Sequence, residues 1–334
     1  MKKIFLLILC LFLVGCSKEN TNNNIIKDFQ KSVEKSKSYH LAGKMELNSS
    51  EDTFNYEIDV IYLKDDYYKV KMVNTTNNHE QIILKNAEGL YVITPSLNKS
   101  FKFDSTWPDN SSQGYILSSL IKDIENDKNV KVKDNIIEVK VDYPNNKELK
   151  YQKIYLTEKG ELSKVEVYGD SDLPSIKIEF NTVDLNARVS KDEFNLDNYI
   201  NEDSCEEEEN CESKTTMSNI KDAIYPLYMP SNTYLNSSEV VNGDNESRVI
   251  LTFSGEKNFV IVEQGAKVEN NHEIIPVYGE PLMLNDTIAA LSNNSIYWTS
   301  GNIDYYLASN DLSITEMVEI ASSLGNSRVT LATK

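Results

Sequence analysis

The sequence predicts an α+β protein: a long antiparallel meander, curled around its apolar face and carrying helices, followed by a smaller α/β domain. Three observations carry that prediction. Segments with a period of two follow one another from residue 53 to 183, separated by short turn signals. Two stretches with helical spacing, 25–38 and 111–127, precede and interrupt that series. An acidic run at 201–214 then separates it from a region with its own strands and a closing helix.

The chain opens with Lys2 and Lys3, then an apolar run of eleven residues from Ile4 to Val14. A membrane-spanning helix needs roughly 20. Basic, apolar and then small residues in that order describe a secretory leader. Its end, Leu13-Val14-Gly15-Cys16, resembles the lipobox of bacterial lipoproteins. That resemblance implies cleavage between Gly15 and Cys16, with an N-terminal diacylglycerol on the Cys16 thiol. Residues 1–15 are then the signal peptide and 16–24 a polar tether. Two acyl chains, at about 0.8 kcal/mol per buried methylene, hold a protein stably at a membrane. The expected location is the extracytoplasmic face of the cell membrane. The alternative is an ordinary cleaved leader in which Cys16 is incidental.

Residues 25–200 form the first domain. Ile25, Ile26, Phe29 and Val33 recur at i, i+3/i+4 spacing and predict an amphipathic helix. In 53–63, Phe54, Tyr56, Ile58, Val60 and Tyr62 alternate with polar residues, so one face is buried and one wet. Tyr68, Val70 and Met72 continue the pattern, and strands are expected at 80–85, 89–94, 135–142, 149–156, 162–168 and 175–183. Within 111–127, Tyr115 leads into Ile116, Leu117, Leu120, Ile121 and Ile124 at helical spacing. A helix placed there fills the mouth of a curved sheet. Asn110 or Ser111 is the expected cap, and Pro95 should end a strand.

The segment 89–124 resembles the central signature of Gram-positive sporulation and germination lipoproteins of the YdcC type. The matching residues include Pro95, Phe101, Phe103, Trp107, Pro108 and Gln113. That family is similar in fold to LolA-type lipoprotein carriers and RseB-type envelope sensors. The resemblance implies an unclosed antiparallel half-barrel of about eleven strands with plug helices over its open face. In the carriers that concavity holds acyl chains. Two readings follow. The segment either positions the plug helix or gates a lipid cavity. The concave row of Phe54, Tyr56, Ile58, Val60, Tyr62, Tyr68 and Val70 has the same two readings, packing or ligand cradle.

Seven acidic residues crowd 201–214, and the linker is placed at 201–216. Cys205 and Cys211 lie within it. Outside the cytoplasm a small disulfide loop is expected; free thiols and a metal site are the alternatives. Neighbouring carboxylates disfavour the thiolate that a metal needs. The second domain, 217–334, has strand patterns at 247–255, 257–265 and within 272–292. A hairpin at 294–309 turns at Ser300-Gly301-Asn302. Ser313 and Glu316 form a capping box for the last helix. This region resembles the small α/β domain that follows the half-barrel in the same lipoproteins. Trp298 is its most recognisable residue, most simply explained by cross-strand packing.

The formal net charge is −18, and removing Lys2 and Lys3 with the leader takes it to −20. With arginine only at 188, 248 and 328, the chain is a poor phosphate binder, which argues against nucleic acid as a partner. His40, His79 and His272 show no ligand spacing. No His-Glu-x-x-His, Cys-x-x-Cys, Gly-x-Ser-x-Gly or glycine-rich phosphate loop occurs. The reading is non-enzymatic, without metal or cofactor beyond the diacylglycerol. The sequence is expected to encode a membrane-anchored binding or scaffold protein with a cell-envelope or spore-wall protein as partner. The alternatives are an acyl-chain carrier or sensor and an RseB-like envelope-stress regulator.

Overall fold

The structure is a computed structural model that describes residues 18–49, 52–109, 112–143, 146–200, 220, 222–242, 247–268 and 271–324. Gly15, Cys16, Asn110, Ser111, Cys205 and Cys211 lie outside the described residues, as does the linker 201–216.

Helix α1 (Lys18–Lys35) starts well before residue 25, so the stretch expected as tether is helical from Lys18 on. Phe29 is its buried anchor, with Ile25, Ile26 and Val33 packed beside it on the core. A first meander follows: β1 (Ser38–Asn48), β2 (Thr53–Leu63), β3 (Tyr67–Asn74), β4 (Glu80–Asn86), β5 (Gly89–Thr94) and β6 (Lys99–Phe103). After helix α2 (Leu117–Asn126) comes a second: β7 (Lys131–Lys133), β8 (Ile136–Lys140), β9 (Tyr151–Leu156), β10 (Leu162–Tyr168) and β11 (Ile176–Asp184). β11 returns to pair antiparallel with β1, joining the two meanders into one sheet. β6 and β7 are left far apart in the strand order, so the sheet does not close on itself. One buried cluster takes side chains from ten of these strands and from both helices, with Val132 of β7 partly buried against it. The sheet is therefore curved around α2, which with its N-cap residue Ile116 supplies Leu117, Leu120, Ile121 and Ile124 to the concave side.

Strand β1 was not expected, because its sequence, SYHLAGKMELN, holds no β-branched residue and carries Gly43 at its centre. Gly43 is there for a close approach. A Cβ on it would lie 2.1 Å from the Glu179 carbonyl oxygen, where the β1–β11 register shifts. Strands β4 and β5 are buried on both faces. Ile82, Leu84, Tyr91 and Ile93 point away from the bowl and are covered by Phe194 and Leu196 from two short 3-10 turns. That second covering explains the unbroken apolar run Ile82-Ile83-Leu84.

The second domain holds β12 (Thr233–Asn242), β13 (Ser247–Gly255), β14 (Phe259–Gly265), β15 (Glu273–Val277), β16 (Gly279–Met283), β17 (Ile288–Ser292), β18 (Ser295–Ser300), β19 (Ile303–Ala308) and α3 (Ile314–Ser323). Seven of these strands form a sheet ordered β12-β13-β14-β19-β18-β17-β16, antiparallel throughout. Helix α3 backs it with Met317, Ile320 and Ala321. In detail, then, the expected α/β domain is an antiparallel sheet carrying one helix. Ser313 accepts from the Glu316 N–H and the Glu316 side chain answers, completing the capping box. The β18–β19 turn places Gly301 and Asn302 at φ +57° and +65°, both in the left-handed region that a two-residue hairpin needs.

Strand β15 leaves its own domain. It pairs in parallel with β6, Glu273 opposite Lys99 through Val277 opposite Phe103, and becomes the twelfth strand of the first sheet. The sequence boundary between the domains is thus crossed by a strand.

Replacing Phe194 with alanine uncovers the outer face of β4 and β5. The expected loss is about 3–5 kcal/mol, read from urea unfolding; a loss below about 1 kcal/mol would mean that the 3-10 turns contribute little cover.

Candidate functional site

The feature most able to carry function is the mouth of the bowl, where the two domains meet. The concave row of β2 and β3 forms its floor: Tyr56, Ile58, Val60, Tyr68 and Val70 are buried, with Phe54 and Tyr62 packed at the margin. Tyr115, Ile116, Leu120 and Ile124 press on this floor from the opposite side. Trp107 sits edge-on to Tyr68 with ring centroids 5.8 Å apart. Its carbonyl accepts from Lys85 Nζ at 2.6 Å. Phe101 and Phe103 pack edge to face in the same cluster. Pro95 ends β5 and starts a short 3-10 turn. Burial pushes the hydroxyls of Tyr56 and Tyr68 up in pKa, so both act as neutral hydrogen-bonding groups. Tyr68 pairs with Ser118 of α2 at 3.1 Å.

The N-cap position of α2 is Ile116, which offers no side-chain cap. The helix is held instead through Asp123, which accepts from Ser112 Oγ at 2.8 Å and from Gln152 Nε2 at 2.9 Å. Ser119 Oγ accepts the Gln113 N–H. Burial raises the Asp123 carboxyl from 3.8 to about 6, against the lowering effect of those two hydrogen bonds.

The second domain caps the mouth. Tyr56 donates its hydroxyl to the Asn285 carbonyl at 2.7 Å. Gln81, buried in β4, treats Ile288 as a strand neighbour: Oε1 accepts its N–H at 2.5 Å and Nε2 donates to its C=O at 3.2 Å. Lys99 of β6 reaches Asp304 of β19 at 2.9 Å, and Thr299 donates to the other carboxylate oxygen at 2.5 Å. Lys99 also lies 3.3 Å from the Tyr297 hydroxyl, and the Tyr297 ring packs against Phe101 at 5.0 Å. Ser105 donates to the Glu280 carboxylate. Behind this cap remains a cavity of about 200 Å³, lined by Leu47, Trp107, Gln113, Tyr115, Ile176 and the segment Pro281–Asn285. Small-molecule pockets usually span about 300–1,000 Å³.

No reaction centre assembles among the described residues. His40 Nε2 pairs with the Asp59 carboxylate at 2.7 Å, at the protein surface. Ser100 lies 2.9 Å from His272 Nε2, but Ser100 has no exposed surface and His272 Nδ1 has no partner in the structure. A buried hydroxyl whose base lacks an orienting group does not make a usable nucleophile. Burial lowers the pKa of His79. No group of three or more His, Cys, Asp or Glu able to hold a metal is found among the described residues. Nor is any described helix long and apolar enough to cross a membrane. Trp298 stacks on Tyr305 at 5.0 Å, deep in the core of the second domain and away from the mouth. Sequence reasoning missed Gln81 and Asp304. A glutamine opening the apolar run of β4 was the available signal.

No family model matches the chain. It is 31% identical over 322 residues to the sporulation protein YdcC of Bacillus subtilis (strain 168), covering 95% of this chain and 94% of that protein. Among solved structures it resembles a chain of the Pseudomonas aeruginosa MucA/MucB complex, at 11% identity and TM-score 0.32, covering 90% of this chain and 98% of that one. It also resembles a LolA superfamily protein from Nitrosomonas europaea, at 10% identity and TM-score 0.32, covering 53% of this chain and 98% of that one.

Two outcomes follow from the geometry. Lys99→Ala strands a buried carboxylate and is expected to cost about 3–5 kcal/mol, whereas Lys99→Met with Asp304→Leu recovers most of that loss; paired urea titrations read the difference. For Asp123, the folded state holds a proton that the unfolded chain releases. Its stabilisation is complete below about pH 4 and is lost as pH rises through about 6. The urea midpoint of the wild type should therefore fall relative to Asp123→Asn across that window and run parallel to it above about pH 7.

Proposed function

The chain belongs to the family of the sporulation protein YdcC, and from that premise we propose that it is a non-catalytic binding protein of the cell envelope that serves sporulation. A lipid on Cys16 holds it at the extracytoplasmic face of the membrane, and its two domains dock a protein partner in envelope or spore-wall assembly. The observation that carries this reading is the occupied mouth. Helix α2 packs into the concave face, and the segment Pro281–Asn285 lines the cavity of about 200 Å³ left at the mouth. A carrier has to empty and refill its cavity, and here that requires breaking the Gln81, Lys99 and Tyr56 contacts between domains. A body closed in this way acts through its surface.

The test uses a strain of the source organism lacking this gene. The yield of heat-resistant spores should drop at least tenfold, return with the wild-type gene and fail to return with Cys16→Ala. An undiminished yield in the deletion strain overturns the sporulation role. Full rescue by Cys16→Ala overturns the anchor.

A further inference from the structure

Four strands stand at the open ends of the two sheets: β15 and β7 in the first, β12 and β16 in the second. Sheet ends are hazards, because their outward N–H and C=O groups can pair with another chain. Three of the four are blunted. β7 has three residues, and Lys131 and Lys133 at its ends are exposed. β15 and β16 have five residues each and contain Pro276 and Pro281.

β12 has none of these protections. It runs for ten residues, Thr-Tyr-Leu-Asn-Ser-Ser-Glu-Val-Val-Asn, without proline, lysine or arginine. Tyr234 is 68% exposed, Leu235 42%, Val240 57% and Val241 47%. The register with β13 slips once, at Asn236, and is then unbroken from Ser237 to Asn242. Val240 lies opposite the buried Val249 and Val241 opposite Arg248, so apolar side chains stand on both faces of the same edge. Glu239, exposed next to Val240 and on the same face as Val241, is the only charge in the strand.

We propose that β12 is a strand-addition site for an extended segment of a protein partner. The added strand carries apolar residues beside Val240 and Val241 and a basic residue facing Glu239. Main-chain hydrogen bonds along Ser237–Asn242 hold it, and the alternating side chains give it preference. Charge decides the occupant. A second copy of a chain carrying a net −18 is opposed by net repulsion, whereas a basic strand is drawn in and paired by Glu239. This rests on the reading that the protein docks a partner, and adds where and in what form.

The probes are three soluble ten-residue peptides presented to the purified full-length chain: valine alternating with lysine and threonine, the same peptide with glutamate for lysine, and the lysine peptide with a central proline. The lysine peptide should bind at least tenfold more tightly than the glutamate peptide and slow hydrogen exchange at the Ser237–Asn242 amides. The proline peptide should not bind. Glu239→Lys, an exposed change that leaves folding intact, should reverse the charge preference. Equal binding of the two charged peptides, no binding by any, or slowed exchange elsewhere overturns the proposal. So does a dimer in sedimentation that Val241→Lys dissolves, which assigns the edge to a second copy. So does slow exchange at β12 in the free chain that is lost on removing residues 325–334, which assigns it to the chain's own end. If the peptides fail while the spore-yield result holds, only the docking surface is withdrawn and the wider function stands.

Discussion

The concave face of the first sheet must be taken out of water, and the rest of the molecule is arranged around that demand. Eleven strands curve around one apolar surface, yet the sheet does not close. At about 25 cal/mol per Å² of buried apolar area, the exposed face of such a bowl would be a large liability. Helix α2 covers the centre and α1 reaches one margin through Phe29. Neither reaches the β6 end. Strand β15 extends the sheet there, and Ile288, Ala290, Met283 and Tyr297 of the second domain join the same core. The second domain is structural cover for the first before it is anything else.

Apolar contact alone would let the second domain slide across the bowl, since burial has no direction. The polar groups at the mouth remove that freedom. Gln81 offers Ile288 the donor and acceptor that a neighbouring strand would, and only one register satisfies both. Lys99 and Asp304 are each less than a tenth exposed. A buried ion pair of this kind adds little net stability, because desolvation offsets the attraction, but misalignment that separates its partners is penalised heavily. The apolar surface drives the domains together and the buried amide and ion pair fix their alignment.

The local pattern was readable where one face of a strand was wet. β2, β3, β9 and β11 follow the two-residue period, and the capping box and the hairpin turn of the second domain follow from residue type. Legibility failed where the controlling contact was distant in sequence. β1 needed Gly43 because of Glu179, more than a hundred residues away. The run in β4 needed Phe194 for its second cover. The departure of β15 from its own domain has no local signature, because Glu273–Val277 would suit either sheet. The cap expected at Asn110 or Ser111 falls on residues outside those described; the N-cap position itself is Ile116, and a distant pair, Ser112 and Asp123, steadies the helix instead. Composition could rank residues by burial, but it could not say which buried polar residue meets which.

The same constraint bears on how the protein would sit at a membrane. Helix α1 begins two residues after Cys16 and is anchored in the core by Phe29. A helix rises about 1.5 Å per residue and does not coil back on itself, unlike a flexible tether of the same length. A lipid on Cys16, as proposed, would therefore be joined to the folded body through a stiff element, with only Ser17 between acylated residue and helix. So anchored, the body would keep a more nearly fixed distance from the bilayer than on a coil of the same length. For a carrier that restriction is a handicap, since cargo has to move away from the membrane. For a scaffold it is an advantage, because holding a docking edge at a set height raises its effective concentration toward partners in the same layer.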